Sequence, residues 1–204
     1  MRTIATIICI LIINNSSFAE NTINYSEIPA YSDLGMLQMV IEIPAGTSKK
    51  LEYNYETNSF MIDKIAGRPR VIEFLPYVGN YGFIPSTNMH ESEGGDGDAL
   101  DILLISESRP TGSIIGVIPV ALLKLEDNGE IDSKIIAVPA DREDRIISAI
   151  SFGELNSQFP NTMSIIKQWF LNYKKTKTIK FKGWGDELEA IKAIETWTIK
   201  PYIN

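Results

Sequence analysis

Apolar and polar positions alternate through the first two thirds of the chain and then change period. Met39-Val40-Ile41-Glu42-Ile43 reads as a strand, ended by Pro44-Ala45-Gly46. Lys50 to Tyr55 alternates cleanly, with Lys50, Glu52 and Asn54 on one face and Leu51, Tyr53 and Tyr55 on the other. Further strands are predicted over Ser59 to Ile65, Asp101 to Ile105, Ile114 to Lys124 and Lys134 to Val138, with Asp127-Asn128-Gly129 as the turn joining the last two. Beyond Pro139 the period becomes helical. Met163, Ile166, Trp169, Phe170 and Tyr173 share one stripe; Leu188, Ile191 and Ile194 share another, with Asp186 as its N-cap. The pattern predicts a mainly β, α+β domain: a strand-rich core followed by two packing helices. Short strands with hairpin turns favour a small closed barrel over a sandwich.

The N-terminus has a different character. Arg2 precedes an apolar run from Ile4 to Ile13, too short for a bilayer-spanning stop-transfer helix, and Ser17-Phe18-Ala19 offers small residues where a signal peptidase reads. This predicts a signal peptide over residues 1–19, cleavage after Ala19, no stable membrane insertion afterwards, and a periplasmic or secreted protein. An uncleaved anchor or a buried first strand is the alternative. Residues 20–204 read as one domain, with no repeat or linker to split them. Cys9, the sole cysteine, lies inside the apolar run rather than at its end, so it is not placed as a lipid-bearing residue, and cleavage leaves no thiol for a disulfide framework or a Cys-based zinc site.

The formal net charge is −7, which argues against unassisted binding to nucleic acid or an anionic membrane. It does not exclude a polyanionic substrate, because bound cations reverse a local field. The acids are unevenly placed. Gly95-Asp96-Gly97-Asp98-Ala99-Leu100-Asp101-Ile102-Leu103-Leu104 sets three carboxylates against an apolar run, where like charge and partial burial both oppose ionisation. A second cluster, Glu126 to Asp132, contains Asp127 and Asp132 on either side of a turn. If the two loops meet at one barrel end, they form a hard oxygen site suited to Mg²⁺, with calcium or manganese as rivals; otherwise they are two solvated acidic turns. An EF-hand register counted from Asp96 lacks the sixth-position glycine, and a GGxGxD β-roll register has Ala99 where its aspartate belongs. His90, the sole histidine, lies in a polar stretch and reads as a solvated loop residue.

GDGDALDILL resembles the signature of family I soluble inorganic pyrophosphatases. Five other stretches follow in the family's order: VIEIPAG, KKLEY, YVGNYGFIP, LEDNGEIDSKIIAVP and FLNYKK. The similarity runs from about residue 38 to 184. The resemblance implies an OB-type closed five-stranded β-barrel with flanking helices, and hydrolysis of pyrophosphate to two phosphates with several Mg²⁺ ions, Mn²⁺ being a possible substitute. It implies that Asp96, Asp101 and Asp132 bind the metals holding the nucleophilic water, that Asp127 helps with a further metal, and that Asp98 is the general base. By the same resemblance, Glu42, Glu52 and Tyr77 would support the site. Lys50, Arg70, Tyr81, Lys134, Tyr173 and Lys174 would bind the phosphates. A homo-oligomer, hexameric in many bacterial members, is implied as well.

Several stretches depart from the family pattern. The segment Lys64 to Ile72 is longer, so the phosphate-binding cation there is Arg70 by its distance to Tyr77 and Tyr81, Lys64 by its place after Asp63, or, third, Arg68. Ala99 stands in place of a usual proline and Leu51 in place of a common aromatic, and the loop from Pro85 to Gly95 is extended. The rival readings are a hydrolase of other phosphoanhydrides and a non-catalytic Ca²⁺-binding or barrel-type binding module.

Overall fold

The computed structural model describes residues 23–175 and 178–199. The predicted signal peptide and its cleavage site lie outside the described residues. The strands are β1 (Leu37–Ile43), β2 (Leu51–Asn54), β3 (Ser59–Ile62), β4 (Lys64–Ile65), β5 (Arg68–Pro69), β6 (Asn80–Phe83), β7 (Asp101–Leu104), β8 (Ile114–Asp127), β9 (Glu130–Ile131), β10 (Lys134–Pro139) and β11 (Ile179–Gly185). The helices are α1 (Phe152–Gln158), α2 (Pro160–Asn172) and α3 (Glu187–Trp197).

Strand pairing runs in a closed circuit. β1 pairs with β6, β6 with β7, β7 with β10, β10 with β8, and β8 returns to β1. Every pairing in this ring is antiparallel except β7 with β10, which is parallel. β8 closes the ring by its length: Ile114–Val117 pair with β1, Val117–Leu123 with β10, and Leu122–Asp127 with β11. Outside the ring, β2 and β3 form a two-stranded ribbon, and β4 and β5 a short hairpin.

Alternate residues on each strand enter opposite faces of the sheet. On one face Leu103, Ile136, Val138 and Leu123 pack against Leu155 of α1 and Met163, Ile166, Trp169 and Phe170 of α2. On the other, Ile102, Leu104, Ile135 and Ala137 pack with Ala190, Ile194 and Trp197 of α3. With both faces covered, β10 is buried along its whole length, which is why Lys134 to Val138 is nearly unbroken apolar sequence. Asn128 and Gly129 both take positive φ, the backbone of a tight hairpin turn that Asn-Gly accommodates. The Asp186 carboxylate caps α3 by accepting from the Glu189 N–H at 2.9 Å, as expected.

Four expectations need correction. The turn at Asn128-Gly129 joins β8 to the short β9 before β10 begins. The strand expected over Ser59 to Ile65 breaks at Asp63, so β3 returns along β2 while β4 opens a separate hairpin. Helix α3 turns Ala190, Ile194 and Trp197 inward and leaves Leu188 exposed, so the buried stripe is rotated from the one expected. A third helix, α1, precedes α2; Ser151 caps it by accepting from the Glu154 N–H, in the S-x-x-E spacing of a helix start.

Candidate active site

The two acidic loops meet at one end of the ring. Because β7 and β10 run parallel, Asp101 and Lys134, their first residues, start side by side, and Asp132 arrives with Lys134. The cleft there is lined by Glu42, Lys50, Glu52, Tyr77, Tyr81, Asp96, Asp98, Asp101, Asp132, Lys134, Tyr173 and Lys174. All twelve were expected from the sequence. Tyr53, Tyr55, Phe83, Ala99 and Phe170 complete the wall and were not. Tyr53 and Tyr55 alternate away from Lys50 and Glu52 along the segment that contains β2, yet both faces of this segment border the cleft. That property belongs to an element standing outside the ring, and strand alternation does not reveal it.

The GDGD loop is held by its neighbour. Met89 N–H donates to the Asp98 carbonyl at 2.7 Å and Gly97 N–H to the Met89 carbonyl at 2.8 Å. Asn88 Nδ2 donates to the Gly97 carbonyl, and the Asp98 N–H donates to the Asp96 carboxylate at 3.0 Å. The extended loop before Gly95 thus braces the acidic turn, while His90 is exposed and makes no side-chain cap.

Lys134 is 2% exposed and donates to both Asp101 and Asp132. Burial alone would lower its pKa, but the two carboxylates hold it above the ordinary lysine value. Asp132 is raised by burial and by Asp101, against the pull of Lys134. Asp98 is raised by burial and by Asp96, Asp101 and Glu52. Glu42 accepts from the Tyr53 N–H at 2.7 Å, yet burial, reinforced by Asp101, pushes its pKa up to about 8. Tyr77 and Tyr81 are raised by burial and remain neutral phenols. Their rings belong to an aromatic wall in which Tyr77 meets Trp169 at 4.5 Å and Trp169 stacks on Tyr173 at 4.8 Å.

Two expected site residues stand outside the cleft lining. Asp127 lies behind Lys174, bonded to Lys174 and Thr178, which lower its pKa against the effect of burial. Arg70 lies beside Lys50. The β4–β5 hairpin closes on Asp63 and Arg70, with Arg70 N–H donating to the Asp63 carbonyl at 2.7 Å and Lys50 N–H to the Arg70 carbonyl at 3.0 Å. The longer segment therefore returns the chain beside Lys50 at Arg70. The Arg70 guanidinium bonds Asp63 at 3.0 Å and feels Tyr173 and Tyr77 of the cleft, whereas Lys64 and Arg68 are exposed on the hairpin.

Among the described residues, no three acidic, histidine or cysteine side chains stand close enough to hold one ion. The donor chemistry nonetheless fits a divalent cation. Six cleft carboxylates face three lysines, and Glu42, Asp98 and Asp132 are all displaced toward the protonated form. Hard oxygen donors with an excess of negative charge are the ligand set Mg²⁺ takes.

Fold and cleft together define an OB-type enzyme whose acidic site opens at the barrel mouth. The profile of the inorganic pyrophosphatase family matches residues 39–200. The chain is 34% identical to the inorganic pyrophosphatase of Neisseria meningitidis serogroup B over 168 residues, 82% of this chain and 89% of that one. The crystal structure of inorganic pyrophosphatase from Thermus thermophilus superposes with a TM-score of 0.73 at 29% identity, covering 87% of this chain and 97% of that one. The truncated vacuolar soluble pyrophosphatase of Trypanosoma cruzi, solved in complex with PPi, gives 0.74 at 26% identity, over 84% and 75% of the two chains. The chain belongs to the inorganic pyrophosphatase family.

Proposed function

We propose that this protein hydrolyses inorganic pyrophosphate to two phosphates at the acidic cleft, using Mg²⁺. The observation that carries the reading is the convergence of both acidic loops with Lys50, Lys134 and Lys174 in one cleft, in a chain of this family. Asp96, Asp101 and Asp132 would hold the cations, with Asp127 contributing from behind Lys174. When bound, Mg²⁺ ions supply positive charge against the phosphate oxygens and make water a better nucleophile at neutral pH.

The remaining roles belong to the chain. Asp98, crowded by Asp96 and Asp101, is the carboxylate suited to accept the proton of the attacking water, since its raised pKa makes it the stronger base. Lys50, Lys134 and Lys174 neutralise the outer oxygens of the dianionic ends. The hydroxyls of Tyr81 and Tyr173 fix the orientation of the anion, with Tyr77 packed against Tyr81 and Trp169. Arg70, beside Lys50, adds a further positive charge. Glu42 and Glu52 orient the cation-rich side.

We further propose that residues 1–19 are removed and that the protein acts on pyrophosphate outside the cytoplasm, as a single-domain subunit of a homo-oligomer. The apolar run ahead of Ser17-Phe18-Ala19 supports export. Phosphate release from pyrophosphate by the chain beginning at Glu20, with Mg²⁺, with chelator, and in Asp98→Asn, tests the activity. Mg²⁺-dependent turnover that falls about a hundredfold or more in the variant is expected. A folded protein that binds Mg²⁺ without turnover would point to a binding module.

A further inference from the structure

The turn Tyr25–Glu27 precedes β1 and lies outside the cleft, yet it reaches the cleft through one neighbour. Tyr25 is buried, and its ring meets Tyr53 edge to face at 5.1 Å and Phe60 at 5.1 Å. The Tyr25 hydroxyl donates to the Gly112 carbonyl at 2.8 Å, and its backbone N–H donates to the Tyr53 hydroxyl at 3.2 Å. The Tyr53 hydroxyl in turn donates to Asn58 at 2.8 Å in the turn of the β2–β3 ribbon. At its other end Tyr53 presents its backbone N–H to Glu42 at 2.7 Å. A Cβ at residue 112 would lie 2.7 Å from the Tyr25 hydroxyl, so the glycine there leaves room for this contact.

The ribbon needs such an anchor. Among the described residues β2 and β3 pair only with each other, and a two-stranded ribbon has little stability of its own. The amide that holds Glu42 belongs to this ribbon, while Glu42 belongs to the ring. Their alignment depends on what fastens one to the other, and Tyr25 joins both: to the ribbon through Tyr53 and Phe60, to the loop before β8 through Gly112. Tyr53, Phe83 and Ala99, packed in the same cluster, are also part of the cleft wall.

We infer that Tyr25 is a positioning residue: it clamps the β2–β3 ribbon so that the Tyr53 amide holds Glu42 toward the cleft, and so sets the cleft's affinity for Mg²⁺. The inference rests on the reading that the cleft binds Mg²⁺. Outer partners of ion-binding groups commonly change affinity by about 10–100-fold. Mg²⁺ binding to the chelator-treated chain beginning at Glu20 is therefore measured by titration calorimetry for the unsubstituted protein, Tyr25→Leu and Tyr25→Phe. The expected result is a Kd weakened about tenfold in Tyr25→Leu, less in Tyr25→Phe, with kcat largely restored at saturating Mg²⁺. A role confined to stability would lower the unfolding midpoint and leave Kd unchanged; that outcome overturns the inference. If Tyr25→Leu does not fold, an unchanged Kd in folded Tyr25→Phe overturns it equally, and a weakened one supports it. Failure of the unsubstituted protein to bind Mg²⁺ overturns the reading of the cleft itself.

Discussion

The ammonium of Lys134 bonds the carboxylate of Asp101, joining the first residue of β10 to the first residue of β7 across the parallel pair of the ring. Asp132 shares the same ammonium. This buried lysine therefore offsets the repulsion between two acidic loops that meet at the barrel end. Lys134→Met should leave both carboxylates facing each other and destabilise the chelator-treated protein by about 3 kcal/mol. Mg²⁺ should recover part of the loss. Denaturant unfolding with and without Mg²⁺ checks both statements.

Glu42 gives a pH signature. Its ordinary pKa is 4.5, and in the fold burial pushes it up to about 8. Between those values the folded state binds a proton that the unfolded chain has lost, so stability falls as pH rises. In Glu42→Gln this contribution disappears. Unfolding midpoints of the chelator-treated protein across that window should decline less steeply in the variant.

Arg70 and Lys64 can be separated by kinetics. The β4–β5 hairpin sets Arg70 beside Lys50 and leaves Lys64 exposed. Arg70→Ala should lower kcat/KM for pyrophosphate about tenfold or more, the scale of one hydrogen bond to a charged group. Lys64→Ala should change it little. The opposite ranking would return the role to Lys64.

Gly82 has no room for a side chain. A Cβ there would come within 1.9 Å of the Val40 carbonyl oxygen, between paired strands β6 and β1. Gly82→Ala should destabilise the fold by about 3 kcal/mol, at the upper end for overpacking, read as a lowered unfolding midpoint.

The strands of the ring were legible in different degrees. β1, β7, β8 and β10 announce themselves because they carry unbroken or alternating apolar runs. β6 does not: Asn80-Tyr81-Gly82-Phe83 is four residues with a glycine, and its strand character comes from the partners on either side. β11 was missed for a similar reason, since Lys180, Phe181 and Lys182 are exposed on an edge and follow no core period. The cleft was more readable than the fold around it. Acids and lysines in ordered motifs name the residues directly, whereas Tyr53 and Tyr55 enter through the placement of a ribbon that no local pattern encodes, and Phe83 through the short ring strand β6.

The circuit of strands also constrains the order of assembly. Leu37 of β1 pairs with Val117 of β8, so the ring cannot close until β8 has been made and has found β1. Such distant pairing costs chain entropy before it is rewarded, and slows folding. Synthesised from its N-terminus, the polypeptide carries β1 with one edge bare throughout that interval. The pieces of the cleft borne on β1, β7 and β10 come into register only with ring closure, so a nascent chain is catalytically silent until its last barrel strand arrives.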